Sequence, residues 1–344
     1  MDPRRQAIKL SRRRFVVGAG ASLAAGICAR HAASQTPIAA TLAYGSTGYT
    51  WSLPMVAEGT HAWDRLGVTL KAIDFPTGRD SMQALLTGAA DFSASTDTPL
   101  VLAALQGLRP IVLVNYSRYT RDMKIVVLKD GPIDSAKPAS LKGRKIATRI
   151  GTSGQFMLAK YLEMAGLSMA DIKLLDMSPD DMTVSLIRGD IDGFSWTAQA
   201  ANVAERQSGG KVTPMVQDGL ERLFQSHELL LTTEQVLKDK PELARAAAAA
   251  MFAAEDYMRS HPDWVEIVAK RTLATEAEVK AATSVYDFTI RFDDRFLNDL
   301  VSEAEWAIAS GLARPPKQDL TSLFRGLIDT GAVKAIRPDR VTMA

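Results

Sequence analysis

The sequence predicts an α/β protein of two similarly built lobes. Each would hold a mainly parallel sheet flanked by helices, the lobes would be joined by two hinge crossings, and a helical C-terminal extension would follow. Two matched stretches carry this expectation. Leu85 to Asp91 (LLTGAAD) recurs about a hundred residues later as Leu186 to Asp192 (LIRGDID), a shared L-[LI]-x-G-x-x-D pattern. In each copy an apolar helical run (Met82, Leu85, Leu86; Met182, Leu186, Ile187) stops at a glycine, Gly88 or Gly189, where a left-handed helix end is cheap. A short strand should follow, ending at Ser95-Thr96-Asp97-Thr98 or Ser195-Trp196-Thr197. Upstream, each copy has an apolar strand running into a Gly/Ser/Thr loop and a helix: Leu42 to Gly48, and Ile146 to Gly154. The loop glycine precedes the G-x-x-D glycine by 43 residues in one half (Gly45, Gly88) and by 38 in the other (Gly151, Gly189). Helix, glycine and strand recur in any α/β chain, so one match would be weak; two in the same order imply two lobes.

Taken in order, Ala40 to Tyr44 reads as a strand, Pro54 to Trp63 as a helix stopped by Gly67, and Val68 to Ile73 as an alternating strand. Thr77 to Ser81 starts the helix that ends at Gly88. Pro99 to Gln106 is a helix with Pro in its first turn. Ile111 to Tyr116 and Lys124 to Leu128 are β-branched strands, and the polar Ser117 to Asp122 between them suits a crossing. The second lobe opens with the turn Leu141 to Lys145, then strand Ile146 to Ile150, helix Gln155 to Ala165, strand Ile172 to Met177 and a helix starting at Ser178-Pro179-Asp180-Asp181. His227 to Leu231 is the return strand, with a second crossing near Gln225 to His227. From Pro241 the pattern is helical: Glu242 to Arg259, Trp264 to Arg271, Glu276 to Ser284, Asp294 to Ser310, and Asp319 to Ile328, helices expected to cover the first lobe. The domains are therefore residues 35–124 with 226–344 as lobe 1, and 125–225 as lobe 2.

Residues 1–34 stand apart as an export signal. Ser11 to Val17 (SRRRFVV) fits the twin-arginine pattern, the apolar run Phe15 to Ala29 is too short for a membrane span, and Ala32-x-Ser34 suits cleavage before Gln35. Cleavage removes seven basic residues and Asp2, leaving 34 basic residues against 38 acidic ones. The basic balance thus belongs to the signal, and neither nucleic acid nor an anionic membrane surface is indicated as a partner. The single cysteine, Cys28, leaves as well, and with it any disulfide, thiol nucleophile or thiolate metal site. Ile27 is a poor fit to the small residue expected before a lipid-bearing cysteine, so the product is expected to be a soluble periplasmic monomer.

No catalytic or metal constellation emerges, and no cofactor is called for. His61, His227 and His261 have no metal-ligand spacing, and G-x-S-x-G, H-E-x-x-H and P-loop motifs are absent. His61 and His261 read as structural; His227 starts the return strand and is a candidate to face the cleft. What the chain offers is neutral donors at helix starts: Ser46, Thr47, Ser81, Thr98, Thr152 and Ser153, with Arg79 the one cation so placed. Free N–H groups at a helix start, with hydroxyls beside them, hold an anion without a buried cation. Each loop alone could equally be a turn or cap; facing lobes would make them converge. Tyr44, Tyr49, Trp51, Tyr116 and Trp196 could wall such a site, although Trp51 and Trp196 serve equally as lobe core.

With these residues in view, the chain resembles the nitrate, sulfonate and taurine group of periplasmic substrate-binding proteins of ABC transporters, which includes relatives that bind thiamine-pyrimidine precursors. The resemblance rests on the export signal, Gly78 before a helix, Leu85 to Asp91 leading to Pro99, Leu141 to Lys145 before a strand and Gly-rich loop, Gly189-x-x-Asp192, and a helical tail with Gly311 and the Asp319 helix. It implies the type II periplasmic binding protein fold, a small organic, anionic solute (sulfonate- or carboxylate-like), and membrane permease subunits as partners. It places the binding residues at Ser46 to Trp51, Gly78-Arg79, Thr96-Asp97-Thr98, Thr152-Ser153-Gly154 and Trp196-Thr197. One departure is plain: the family commonly has Trp, an acid and Pro after the G-x-x-D strand, where this chain has Trp196-Thr197-Ala198-Gln199. An enzyme on the same fold (decarboxylase, desulfinase or pyrimidine-synthesis-like) and a ligand-sensing subunit for a membrane receptor are the rival expectations.

Overall fold

A computed structural model describes residues 37–45 and 48–343. The expected export segment and the candidate binding residues Ser46 and Thr47 lie outside the described residues. The strands are β1 (Ile38–Tyr44), β2 (Val68–Asp74), β3 (Phe92–Thr96), β4 (Ile111–Tyr119), β5 (Lys124–Leu128), β6 (Lys145–Thr148), β7 (Lys173–Asp176), β8 (Gly193–Trp196), β9 (Val212–Pro214), β10 (Ser226–Thr232) and β11 (Tyr286–Asp287). They form two sheets, ordered β11-β4-β10-β3-β1-β2 and β7-β6-β8-β5-β9.

The two sheets follow one plan. In the first, β1 is parallel to β2 and β3; in the second, β6 is parallel to β7 and β8. Next to β3 lies β10, and next to β8 lies β5, both antiparallel. The sheets are thus mixed, not mainly parallel as the helix–strand alternation suggests. The cause is the crossings: β10 and β5 enter their sheets straight from the other lobe, so they start where the parallel strands end and run against them. Faces alternate with the pleat, so Ile125 and Val127 of β5 pack into one core of the second lobe and Val126 into the other.

Two boundaries differ from the sequence expectation. Ser117 to Tyr119 do not belong to the crossing but continue β4, because Ser226 to Glu228 of β10 pair with them on one side and β11 pairs with Tyr119 and Arg118 on the other. The crossing shrinks to 120–123, and the return runs from 215 to 225. The C-terminal helices also do more than cover the first lobe. From the helix Asp294–Ala309, Trp306 reaches Phe156 of the second lobe with ring centroids 4.7 Å apart.

The repeat has a specific mechanical role. Gly88 and Gly189 both take the left-handed conformation, with φ of 77° and 79°, which ends each helix and turns the chain back. The aspartate three residues on then grips the neighbouring parallel strand. Asp91 Oδ2 accepts the Thr41 N–H at 2.9 Å while its own N–H donates to the Thr41 carbonyl at 3.0 Å. Asp192 does the same to Lys145, at 2.8 and 2.9 Å. Each clamp fixes where β3 or β8 starts relative to β1 or β6. Hydrogen bonds to a charged group contribute about 1.5–3 kcal/mol, so Asp192→Ala should lower the unfolding free energy by up to that order, read as a lower urea midpoint with m unchanged, and Asp192→Asn by less. An unaltered midpoint in Asp192→Ala would remove the clamp from the account.

Candidate functional site

The carboxyl ends of the parallel strands of both sheets point at one another, and each delivers a helix start to the gap, the position where open α/β sheets bind ligands. After β1 a 3-10 turn, Tyr49–Trp51, leads into the helix Ser52–Gly59; after β2, Thr77 caps the helix Gly78–Leu86, its Oγ1 accepting the Asp80 N–H at 3.1 Å. In the second lobe the helix Ser153–Met164 follows β6, and Thr197 caps the helix Ala198–Gln207 after β8, accepting the Ala200 N–H at 3.4 Å. Two glycines allow the backbones to come this close. A Cβ on Gly78 would lie 3.1 Å from Ser95 Cα, and one on Gly154 would lie 2.8 Å from Thr148 Oγ1 and 3.0 Å from the Trp196 ring.

Between these helix starts lies a cavity of about 30 Å³. Trp51, Gly78, Arg79 and Thr96 line it from the first lobe, and Thr152, Ser153, Gly154, Trp196 and Thr197 from the second. Gly48, Thr50, Pro99 and Met123 complete the wall. Met123 comes from the crossing between β4 and β5, and only an apolar residue inside an otherwise polar crossing marked it in the sequence.

The lobes are shut on this cavity by direct contacts. The Arg79 guanidinium donates to the Ile150 carbonyl at 2.7 Å, and Gln199 Nε2 to the Thr272 carbonyl at 3.0 Å. Ser153 Oγ donates to Thr96 Oγ1 at 2.8 Å and lies 3.2 Å from Ser226 Oγ and 3.3 Å from Thr98 Oγ1, so three first-lobe hydroxyls converge on one second-lobe hydroxyl. Arg206 pairs with Glu278 across the same gap.

Five residues expected at the site do not line the cavity. Tyr49 is fully buried in the first-lobe core. Asp97 is turned into the protein, accepting from Ser226 Oγ at 2.7 Å, the His227 N–H at 2.8 Å and the Thr98 N–H at 3.0 Å. Thr98 donates to Glu303 of the C-terminal helix Asp294–Ala309. The Tyr116 phenol donates to Glu228 at 3.3 Å, and the His227 imidazole sits 2.9 Å from Asp299 and edge-on to Phe296. Together they form the buried bed under the cleft. Asp299, Glu303 and Phe296 are far away in sequence, so nothing local foretold that this bed would take them.

The bed is rich in carboxyls. Burial pushes Asp97 and Asp122 up to about 6, and Glu228 and Glu303 well above the ordinary carboxyl range, with neighbouring acids adding to the last two. Glu228 Oε1 is buried with no hydrogen-bond partner. A carboxyl raised on folding contributes stability that is complete below its unfolded pKa and is lost as pH rises through the folded one. Glu228→Gln keeps the protonated shape without the charge. Its stability gain over wild type should therefore be near zero at pH 4.5 and grow by up to about 1.4 kcal/mol per pH unit above it. Melting temperatures of both proteins from pH 4.5 to 8 test this; a constant difference would show that Glu228 keeps an ordinary proton affinity.

Comparison with known proteins places this geometry. The family model described as NMT1/THI5 like matches residues 64–264. The taurine-binding periplasmic protein of Escherichia coli (strain K12) is 24% identical over 211 residues, which are 61% of this chain and 64% of that protein. The chain thus spans a little under two thirds of that relative's length. Among solved structures, the alkanesulfonate-binding protein SsuA from Xanthomonas axonopodis pv. citri bound to MOPS superposes with a TM-score of 0.71 at 18% identity, covering 90% of this chain and all of that one (100%). The desulfurization enzyme DSZB superposes with a TM-score of 0.61 at 16% identity, covering 88% and 100%. At such identities the superpositions carry the fold, that of periplasmic binding proteins, and not the chemistry.

Proposed function

This chain belongs to the NMT1/THI5 like family, and from that premise we propose that it captures a small oxyanionic organic solute between its lobes and delivers it to the membrane permease of an ABC importer. The observation that carries the reading is the convergence of helix starts from both lobes on one closed cavity. Their free N–H groups supply positive partial charge where no lysine is placed. Binding, not catalysis, is supported by the state of the hydroxyl best placed to react: Ser153 Oγ already donates to Thr96. Names of relatives support the same choice, sulfonate- and taurine-binding proteins among them.

Capture would work by closure. A solute touching both lobes is fully held only when they are shut, so its differential affinity favours the shut form. The chain would reach the periplasm as a monomer by the twin-arginine route, with 35–124 and 226–344 moving against 125–225. By the usual measure a water needs about 10–15 Å³ of such space, so the 30 Å³ cavity suits a solute of only a few non-hydrogen atoms.

In a calorimetric series of linear alkanesulfonates and carboxylates, the one- to three-carbon members should bind and longer ones fall away. Saturation with a bound member should lower the radius of gyration in solution scattering. Gly154→Leu, which projects a side chain between Thr148 and Trp196, should weaken binding more than tenfold. Turnover of the bound solute, or tight binding with no compaction, would sink the delivery mechanism. For export, replacing Arg12 and Arg13 together by Lys should hold the protein in the cytoplasm, and an unchanged periplasmic yield would exclude the twin-arginine route.

A further inference from the structure

Three first-lobe hydroxyls meet Ser153 Oγ of the second lobe, and a count of their protons shows what governs that junction. A hydroxyl has one proton to give and two lone pairs to receive with. Ser153 gives its proton to Thr96 Oγ1 at 2.8 Å, which leaves both lone pairs for Thr98 Oγ1, 3.3 Å away, and Ser226 Oγ, 3.2 Å away. Those two can fill them only with protons of their own. Both protons are drawn to carboxyls instead: Thr98 donates to Glu303, and Ser226 donates to Asp97 Oδ1 at 2.7 Å. With both acids ionised, Ser153 completes one of its three hydrogen bonds across the gap.

A proton on either acid would release one hydroxyl, and the surroundings decide which acid takes it. Asp97 accepts from Ser226 Oγ, the His227 N–H and the Thr98 N–H, three donors that favour its charge. Among the described residues Glu303 has one donor, Thr98. Glu303 is 2% exposed. Trp306, three residues on along the same face of the helix Asp294–Ala309, packs on Phe156 of the second lobe, so shutting the lobes helps to cover it. The charges that face Glu303 are Asp97 from the helix Asp97–Leu105, Asp299 one turn back on its own helix and beside His227 of β10, and Lys160 from the second-lobe helix Ser153–Met164. The helix Leu320–Arg325, packed on the same helix, adds one charged side chain, the exposed Arg325. Burial, and after it the charge of Asp97, raise Glu303 well above the ordinary carboxyl range against the opposing pull of Thr98 and Lys160.

We infer that Glu303 couples closure of the lobes to uptake of one proton from solvent: protonated, its carboxyl donates to Thr98 Oγ1, and the Thr98 proton turns to Ser153 Oγ and adds a hydrogen bond across the gap. Glu303 is thus a positioning residue that acts on the junction through Thr98. The inference rests on the closure proposed above and not on the chemistry of the solute. Opening admits water to Glu303 and favours its ionised form. The shut form therefore gains as pH falls and loses ground as pH rises through the shut-form pKa, by up to about tenfold in the shut-to-open ratio per pH unit.

Solution scattering and infrared spectroscopy on the full mature protein without solute, from about pH 4.5 to 8.5, test it. The radius of gyration should rise with pH over the range in which the carbonyl band of the protonated Glu303 carboxyl, identified by its absence from Glu303→Gln, disappears. The Glu303→Gln variant, whose amide donates to Thr98 at every pH, should stay compact throughout. Thr98→Val, which keeps the shape without the hydroxyl, should lose the step in radius while the carboxyl band remains. Melting temperatures show that each variant is folded, and either variant alone decides the matter. A constant radius in the wild type, or a pH step that persists in a folded variant, overturns the inference. If a bound alkanesulfonate compacts the protein while pH does not, the closure reading stands without this inference; if neither does, both fall.

Discussion

The rest of the molecule depends on one contact made twice. In each lobe the aspartate of the G-x-x-D turn holds both the N–H and, through its own N–H, the carbonyl of one residue in the neighbouring parallel strand: Thr41 for Asp91, Lys145 for Asp192. A two-point grip on a single residue leaves no freedom of register, and a one-residue slip would exchange the faces of the strand. Because β3 and β8 are only five and four residues long, a start fixed this firmly also fixes their ends. Those ends carry Thr96 and Trp196 to the cavity. The geometry of the site is thus set about 15 Å away, at the other end of short strands, given roughly 3.3 Å per residue.

Placement alone would not make a selective site; the sorting of charge does. The region between the lobes separates into a cavity with no carboxylate among its described lining residues and a carboxyl-rich bed behind, with Ser153 and Thr96 on the cavity wall joined by hydroxyl contacts to Thr98 and Ser226 of the bed. Hydroxyls both donate and accept, so they can face donors on one side and acids on the other without leaving either unmatched. Among the acids behind, burial favours the protonated forms of Glu228 and Glu303 most strongly. A charged acid behind the cavity would repel an anion held at the helix starts, and a protonated one would not.

The sequence allowed much of this to be read, and the rest escaped for identifiable reasons. The repeated glycines and the helix starts at Gly78 and Ser153 were legible because each is set by local chemistry, a left-handed cap or a free N–H; the helix Ala198–Gln207 after Thr197 was not read. Asp97 and Thr98 were expected at the cavity with their neighbour Thr96, Tyr116 as an aromatic wall, and His227 as the start of the return strand. The side chains of Thr98, Tyr116 and His227 instead meet Glu303, Glu228 and Asp299, 72 to 205 residues away, and that of Asp97 meets Ser226 and the His227 N–H, 129 and 130 residues away. The chain turns from strand to helix between Thr96 and Asp97, so adjacency to Thr96 is no guide to direction for Asp97. Ser117 to Tyr119 looked like a linker from composition, and only pairing with β10 and β11 makes them strand.

The direct contacts across the gap bear on how closure would be driven. Arg79 to Ile150, Gln199 to Thr272 and the Ser153 hydroxyls join the lobes with no solute between the bonded atoms. Each is a modest net contribution, on the order of 1 kcal/mol, and several are partly exposed and compete with water. Closing also orders the two short crossings, which opposes it. Trp306 against Phe156 and Arg206 with Glu278 add to the shut form, so on the proposed closure mechanism the solute would supply only part of the free energy of closing. A solute then needs only moderate differential affinity to commit the lobes, because a shift from 1:99 to 99:1 takes about 5.5 kcal/mol. Contacts stronger than these would hold the lobes shut against entry, and weaker ones would leave the solute to pay the whole cost of closing. The hydroxyl junction at Ser153, made of neutral groups and set beside the cavity, would keep the bias between those limits.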